Sequence, residues 1–128
     1  ADSANAAVIA NTAGVTSIAI RDLKIDGNGT NQSGNDQHHA MFIVTATDVS
    51  VSGLEITNTD GDGVYLRLGC SRVRITDNYV HDVDRIGFHI PASNNLVVSG
   101  NTLVNCGQTA IKSEPDATET ADADNIST

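Results

Sequence analysis

Val49-Ser-Val51-Ser-Gly-Leu54-Glu-Ile56, Val73-Arg-Ile75-Thr-Asp-Asn78-Tyr-Val80 and Leu96-Val-Val98-Ser-Gly-Asn101-Thr-Leu103 share one grammar of short apolar alternations broken by small polar residues. Ile18-Ala-Ile20-Arg-Asp-Leu23-Lys-Ile25 fits the same frame. Counted at Ile20, Val51, Ile75 and Val98, the segments are 31, 24 and 23 residues apart. A second family runs between them: Ala40-Met41-Phe42-Ile43, Gly63-Val64-Tyr65-Leu66, Gly87-Phe88-His89-Ile90 and Ala110-Ile111-Lys112-Ser113, spaced by 23, 24 and 23 residues. Two independent ladders with a common period define a repeat.

Each repeat holds period-2 strands separated by Gly, Asn, Asp and Ser, and no 3.6-residue pattern. A unit this short, without a helix, cannot close a core of its own and must stack on its neighbours. The Leu-x-x-Leu-x-Leu frame of leucine-rich repeats is missing, which leaves a parallel β-helix. Asn78 and Asn101 fall at one position of successive repeats. Asn tolerates a left-handed backbone and carries both a donor and an acceptor, so the two are expected to stack, with Leu54 and Leu23 continuing the column.

Composition agrees and excludes other classes. The chain has 128 residues, 7 Lys+Arg against 16 Asp+Glu, a net charge of -9, 3% aromatic residues and no Trp. One domain over residues 1–128 is expected, with a core of small and branched aliphatics. The acidic balance speaks against nucleic acid, which is gripped by clustered Lys and Arg. No apolar run is long enough to span a membrane as a helix.

Cys70 and Cys106 are the two cysteines. Position 94, one period after Cys70, is Asn94, whereas Cys106 shares its place with Thr59 and Val83. The two thiols therefore belong to different corners and should not bond. Cys106 should behave as a small, largely buried hydrophobe.

Gly63–Val80 and Gly87–Leu103 carry a pattern of the form Gly-Ile-x-Leu … Asn-x-Ile-x-x-Asn-x-Ile. In this the chain resembles the right-handed parallel β-helix proteins of the pectate-lyase-like superfamily, from about Val8 to Ile126. The resemblance implies an all-β, right-handed parallel β-helix of four to five coils of roughly 23 residues. It also implies an extracellular, cell-surface or virion setting. The superfamily includes polysaccharide lyases, glycoside hydrolases, alginate epimerases, tailspikes and non-catalytic surface proteins, so the fold alone does not choose an activity.

Two stretches depart from the regular coil. Asp26–His39 forms a loop about eight residues longer than its counterparts elsewhere, rich in turn formers. Glu114–Asp124 holds five acids and no base and reads as a solvated excursion. Asn125-Ile126-Ser127-Thr128 reads as the start of the strand that Asn95-Leu96-Val97-Val98 begins one coil earlier. A strand begun there implies a piece of a longer solenoid, or a unit that associates end to end or as a trimer.

Alternation turns Met41, Ile43, Val64, Leu66, Phe88, Ile90 and Ile111 inward. Phe42, Tyr65, His89 and Lys112 then form an outward row, with Val44, Arg67, Pro91 and Glu114 beside it. The turns leading into these strands supply Gln37-His38-His39, Asp60-Gly-Asp62, Asp84-Arg85 and Gly107-Gln108. In the enzymes the chain resembles, the corresponding sheet bears the polysaccharide groove. Asn58-Thr59-Asp60-Gly61 is similar to a polygalacturonase motif whose Asp belongs to the catalytic carboxylates. Asp82-Val83-Asp84 stands where those enzymes have an adjacent pair, and no Gly-His-Gly follows.

Asp60, Asp62, Asp84 and His89 are the candidate catalytic residues, in carboxylate-pair or proton-transfer chemistry. Tyr65, Arg67, Arg85 and Lys112 are the candidate substrate-binding residues, the cations suiting a uronate carboxylate. Tyr65 is also expected to offer its ring face to a sugar. No cofactor is implied. Two stretches imitate the start of a calcium loop, but Gly69 and Gln37 stand where its closing Glu belongs, and the adjacent His38 and His39 point to opposite sides. The sequence thus points to an acidic polysaccharide that is bound, and in an enzyme cleaved or epimerised. The alternative is a structural solenoid such as a tailspike shaft, adhesin or filament subunit.

Overall fold

A strand offers its backbone N–H and C=O groups sideways, and in this chain the partner for each strand lies one repeat away. The computed structural model describes residues 7–11, 13–32, 38–113, 118–123 and 125–128. Among them are fifteen strands, numbered in chain order, which form three parallel five-stranded sheets. Sheet A holds β1 (Ile9–Ala10), β4 (Met41–Val44), β7 (Val64–Arg67), β10 (Ile86–Ile90) and β13 (Thr109–Ser113). Sheet B holds β2 (Thr16–Arg21), β5 (Thr47–Ser52), β8 (Ser71–Thr76), β11 (Asn94–Ser99) and β14 (Thr118–Ala123). Sheet C holds β3 (Lys24–Asp26), β6 (Glu55–Thr59), β9 (Tyr79–Val83), β12 (Thr102–Cys106) and β15 (Ile126–Ser127). Each coil contributes one strand to each sheet, which makes the chain a parallel β-solenoid. No helix among the described residues is long and apolar enough to cross a membrane.

The core is built in columns. Ile20, Val51, Ile75 and Val98 succeed one another in sheet B, and Ile25, Ile56, Val80 and Leu103 in sheet C. Met41, Val64, Phe88 and Ile111 form the column of sheet A. Side chains in the middle of each column are fully buried. Each such aliphatic contributes about 1.5–3 kcal/mol of transfer free energy.

The corner between sheets B and C turns on left-handed residues, Asp22, Gly53, Asp77 and Gly100. The next residue on two successive coils is Asn78 or Asn101. Asn101 Oδ1 accepts from the Asn78 N–H at 3.0 Å and from Asn78 Nδ2 at 2.9 Å, while Asn101 Nδ2 donates to the Ile75 carbonyl at 2.9 Å. Asn78 does the same for the coil before, accepting from the Leu54 N–H and donating to the Val51 carbonyl. The expected stack is therefore present. Leu54 continues it as a buried side chain, whereas Leu23, in register through the Lys24–Glu55 pair, is 39% exposed.

Several expectations need correction. Asn125 is not the start of a sheet B strand: it is the third rung of the Asn ladder. Its Oδ1 accepts from the Asn101 N–H and Nδ2, and Ile126 pairs with Thr102 in sheet C. The sheet B place is filled by β14, so the acidic excursion is partly a strand; residues 114–117 and 124 lie outside the described residues. In the long loop Asp26 closes β3 and Gly29–Asn31 form a 3-10 turn, while Asp36 and Gln37 also lie outside the description.

Both cysteines are free. Cys106 pairs with Val83, and Val83 with Thr59, as the period predicts, but at its coil it is only partly buried. Asn94 pairs with Ser71 and takes the Cys70 carbonyl, so the counterpart of Cys70 is the buried Ser93, one residue from the expected position.

Replacing Asn101 by Ala strands the buried Asn78 N–H and removes a partner from the Ile75 carbonyl. At ~1–3 kcal/mol per unsatisfied buried group, Asn101→Ala should cost at least ~2 kcal/mol. Asn125→Ala, at a half-buried rung, should cost less. Denaturant midpoints measure both, and equal losses would contradict the ladder as the source of the effect.

Candidate functional site

The turns that enter sheet A place polar groups against it. Asp62 is fully buried two residues before β7. Its Oδ1 accepts from the Ile86 N–H at 3.2 Å and lies 3.9 Å from Arg85 Nε. Its Oδ2 accepts from His89 Nδ1 at 3.0 Å. Its own backbone N–H donates to Nδ1 of the buried His39 at 2.9 Å. One coil corner thus ties Asp62 to two histidines, an arginine and the next coil's backbone. Beside it, buried His38 donates from Nδ1 to Asp60 Oδ2 at 3.2 Å, and Asp60 is 12% exposed.

Outside, Phe42, Tyr65, His89 and Lys112 stand in register on successive coils, as alternation predicts. The rings of Tyr65 and His89 are stacked, with centroids 4.5 Å apart and planes 6° from parallel. Phe42 meets the other neighbour side of Tyr65 at 5.3 Å, and the edge of His39 closes in at 5.0 Å. Tyr65 is therefore flanked by rings on both axial sides. The His89 ring covers one face of Tyr65, while Phe42 meets its other side tilted by 56°. Arg67 pairs with Val44 at the edge of the row and is exposed, as are Asp84 and Lys112.

Of the candidate residues, the structure brings Asp62, His89, Tyr65 and Arg85 together and places Lys112 in register with His89. It corrects the position of Asp62, which lies beneath the row rather than along its rim. His39 is absent from the candidates although it contacts both Asp62 and Tyr65. The signal available was its place one period before Asp62. Asp26, read as part of a calcium-like loop, accepts from the Asn28 N–H and Asn58 Nδ2 through one oxygen. Among the described residues no group of three His, Cys, Asp or Glu side chains is arranged to hold a metal ion.

Residues 3–123 match the family model of the right-handed β-helix region. The chain belongs to the right-handed β-helix family. No curated protein and no solved structure matches it.

This β-helix carries a second polar cluster, on sheet C. Tyr79 and His81 leave β9 on one side and stack at 4.5 Å. His81 Nδ1 donates to Asp82 Oδ2 at 2.8 Å and Nε2 to Glu55 Oε1 at 3.3 Å, while Glu55 also accepts from Lys24 Nζ at 2.7 Å. Asn105 Nδ2 donates to the other oxygen of Asp82 at 2.6 Å. A ring with a carboxylate at each nitrogen satisfies both only as the imidazolium. The Asp82 hydrogen bond first, and then Glu55, hold the His81 pKa above its ordinary 6.5, against a lowering by partial burial. Asn105 and His81 hold the Asp82 carboxyl below its usual range, and Lys24 and His81 do the same for Glu55.

The signs give a window of stability. The raised His81 contributes fully below pH 6.5 and loses its contribution as pH rises through the folded value. The lowered carboxyls contribute above their ordinary values of 3.8 and 4.5 and lose that as pH falls through the folded ones. An NMR titration should put the His81 midpoint above 6.5 in the native chain and move it down in Asp82→Asn. A native midpoint at or below that value would contradict the pairing.

Proposed function

We propose that the chain binds an acidic polysaccharide along the outer row of sheet A. The observation that carries this reading is the grouping of three of the seven basic residues, Arg67, Arg85 and Lys112, around the row of Phe42, Tyr65 and His89, in a chain of net charge -9. A surface that is acidic overall and basic along one aromatic row suits a ligand whose charge is negative and whose body is amphipathic. Uronate polymers meet both conditions: their carboxylates suit the cations, and their sugar hydroxyls suit the Tyr65 hydroxyl. Because the row runs along the solenoid axis with rungs ~4.8 Å apart, a chain laid along it meets successive coils with equivalent groups.

Asp62 supports this reading as a positioning residue, and Asp84 as an exposed carboxylate at the same edge. Tyr65 contributes its rim and hydroxyl, with Phe42 and His89 keeping the ring upright.

Binding of polygalacturonate, alginate and neutral glucans by the native chain and by a Tyr65→Ala/His89→Ala/Lys112→Ala variant tests this. A polyuronate should bind, with affinity that falls as salt rises. The folded triple variant should lose at least ~1.4 kcal/mol, a factor of about ten. Full affinity in the variant, or no affinity of the native chain for any polyuronate, would favour the structural solenoid instead.

A further inference from the structure

Of the two Phe and two Tyr residues, only Tyr79 is exposed, at 44%. One face of its ring lies on His81, two residues further along β9, with planes 24° from parallel. Among the described residues no ring covers the other face. That face looks back along the strand, toward the corner between sheets B and C. An open groove of about 420 Å³ lies there, lined by Glu55, Tyr79 and Thr102 from sheet C and by Gly53, Asp77 and Gly100 from the corner. We infer that this groove is a carbohydrate site separate from sheet A, which takes a neutral, hydroxyl-rich sugar chain with one pyranose ring against the open face of Tyr79.

The groove offers what such a ligand needs. The face of an aromatic ring is electron-rich, which suits the C–H face of a pyranose. Sugar hydroxyls need acceptors, and two carboxylates supply them. Glu55 Oε1 is taken by Lys24 and His81, while Oε2 has no partner among the described residues. The Asp77 carboxylate accepts no hydrogen bond among them either. It occupies the space above Gly100, where a Cβ would meet Asp77 Oδ1 at 2.5 Å, so the glycine leaves room for it. Thr102, in register with Tyr79 on the next coil, adds a hydroxyl. Glu55, Tyr79 and Thr102 succeed one another with rungs ~4.8 Å apart, a run that suits an oligosaccharide laid along the axis.

Charge sets this ligand apart from the one proposed for sheet A. Lys24 and His81 are matched by Glu55 and Asp82, which leaves Asp77 as an uncompensated negative group. Asp22 sits above Gly53 in the same way, with Oδ1 2.7 Å from where a Cβ would stand. A polyuronate would bring its carboxylates against these two. A cationic ligand is drawn to them, but the Tyr79 face it would use is backed by the His81 imidazolium, which weakens cation–π attraction. A neutral sugar ring meets neither obstacle.

NMR titration of the native chain with cellohexaose, mannohexaose, xylohexaose and maltohexaose tests this, with the glucosamine hexamer as a cationic control. At least one neutral hexasaccharide should move the amide signals of Gly53, Gly100 and Thr102 and the ring signals of Tyr79. Its affinity should not fall as salt rises, unlike that of a polyuronate. Tyr79→Ala, at an exposed position, should weaken this binding at least about fivefold, while Tyr79→Phe keeps the ring and should retain most of it. Polygalacturonate and alginate should behave toward Tyr79→Ala as toward the native chain, so the sheet A reading stands or falls separately. No binding of any neutral hexasaccharide, shifts confined to other surfaces, full affinity in folded Tyr79→Ala, or binding of the glucosamine hexamer alone would each overturn the inference. If Tyr79→Ala does not fold, the signals moved in the native chain decide.

Discussion

Every strand of this chain finds its backbone partner one repeat away, and the rest of the structure follows from that. Parallel pairing, kept in step except where β11 meets β14, makes each residue the axial neighbour of its equivalents. An apolar position then becomes a buried column, and a polar position becomes a row. The corner between sheets B and C is the place where this arrangement would otherwise fail. There the chain turns through a left-handed residue, and the following N–H and the carbonyl two to three residues before it face the interior. The Asn amide answers both needs at once, which is why Asn78, Asn101 and Asn125 recur with the period, whereas Leu23 and Leu54 hold the same place on the first coils without that amide.

The period, the sheet A and sheet B alternations and the Asn rungs were legible because each was stated by several coils. What was not legible lies where one coil speaks alone. Thr118–Ala123 has no apolar alternation, and its strand character comes from the edge that β11 offers, so Asn125 was assigned one strand early. The burial of Asp62 was hidden for a different reason. Asn58 is left-handed, with Asp82 and Asn105 in the same conformation on the next coils. Each such residue breaks the period of two, so Ile56 and Thr59 both turn inward although three apart. Past that point parity no longer says whether residue 60 or 62 faces the core. The outward row of Phe42, Tyr65, His89 and Lys112 survived because counting restarts inside β4, β7, β10 and β13.

Column architecture also dictates how a site on such a surface can work. Neighbouring rungs are about as far apart as stacked rings, so aromatic residues placed in register stack on one another. Tyr65 and His89 illustrate this, with Phe42 tilted by 56° beside them, so one face of Tyr65 is covered by its neighbour. In the reading proposed above, recognition by such a row would be polar and directional rather than driven by apolar area.

The histidines show how opposite partners act on one side chain. His81 has a carboxylate at each nitrogen, and charge on the ring is the state that satisfies both. His39 has a main-chain N–H at Nδ1, a bond that a proton on that nitrogen would abolish, and so the neutral ring is the one the fold has shaped. The same side chain is thus turned to opposite ends by partners that differ only in being acceptor or donor. The repeat delivers Glu55 from one coil before His81 and Asp62 from one coil after His39, whereas Asp82 is the chain neighbour of His81. In a solenoid a residue one period away can thus share with a chain neighbour in setting a side chain's protonation. A change at a single rung therefore alters the chemistry of the rung beside it before it alters the fold.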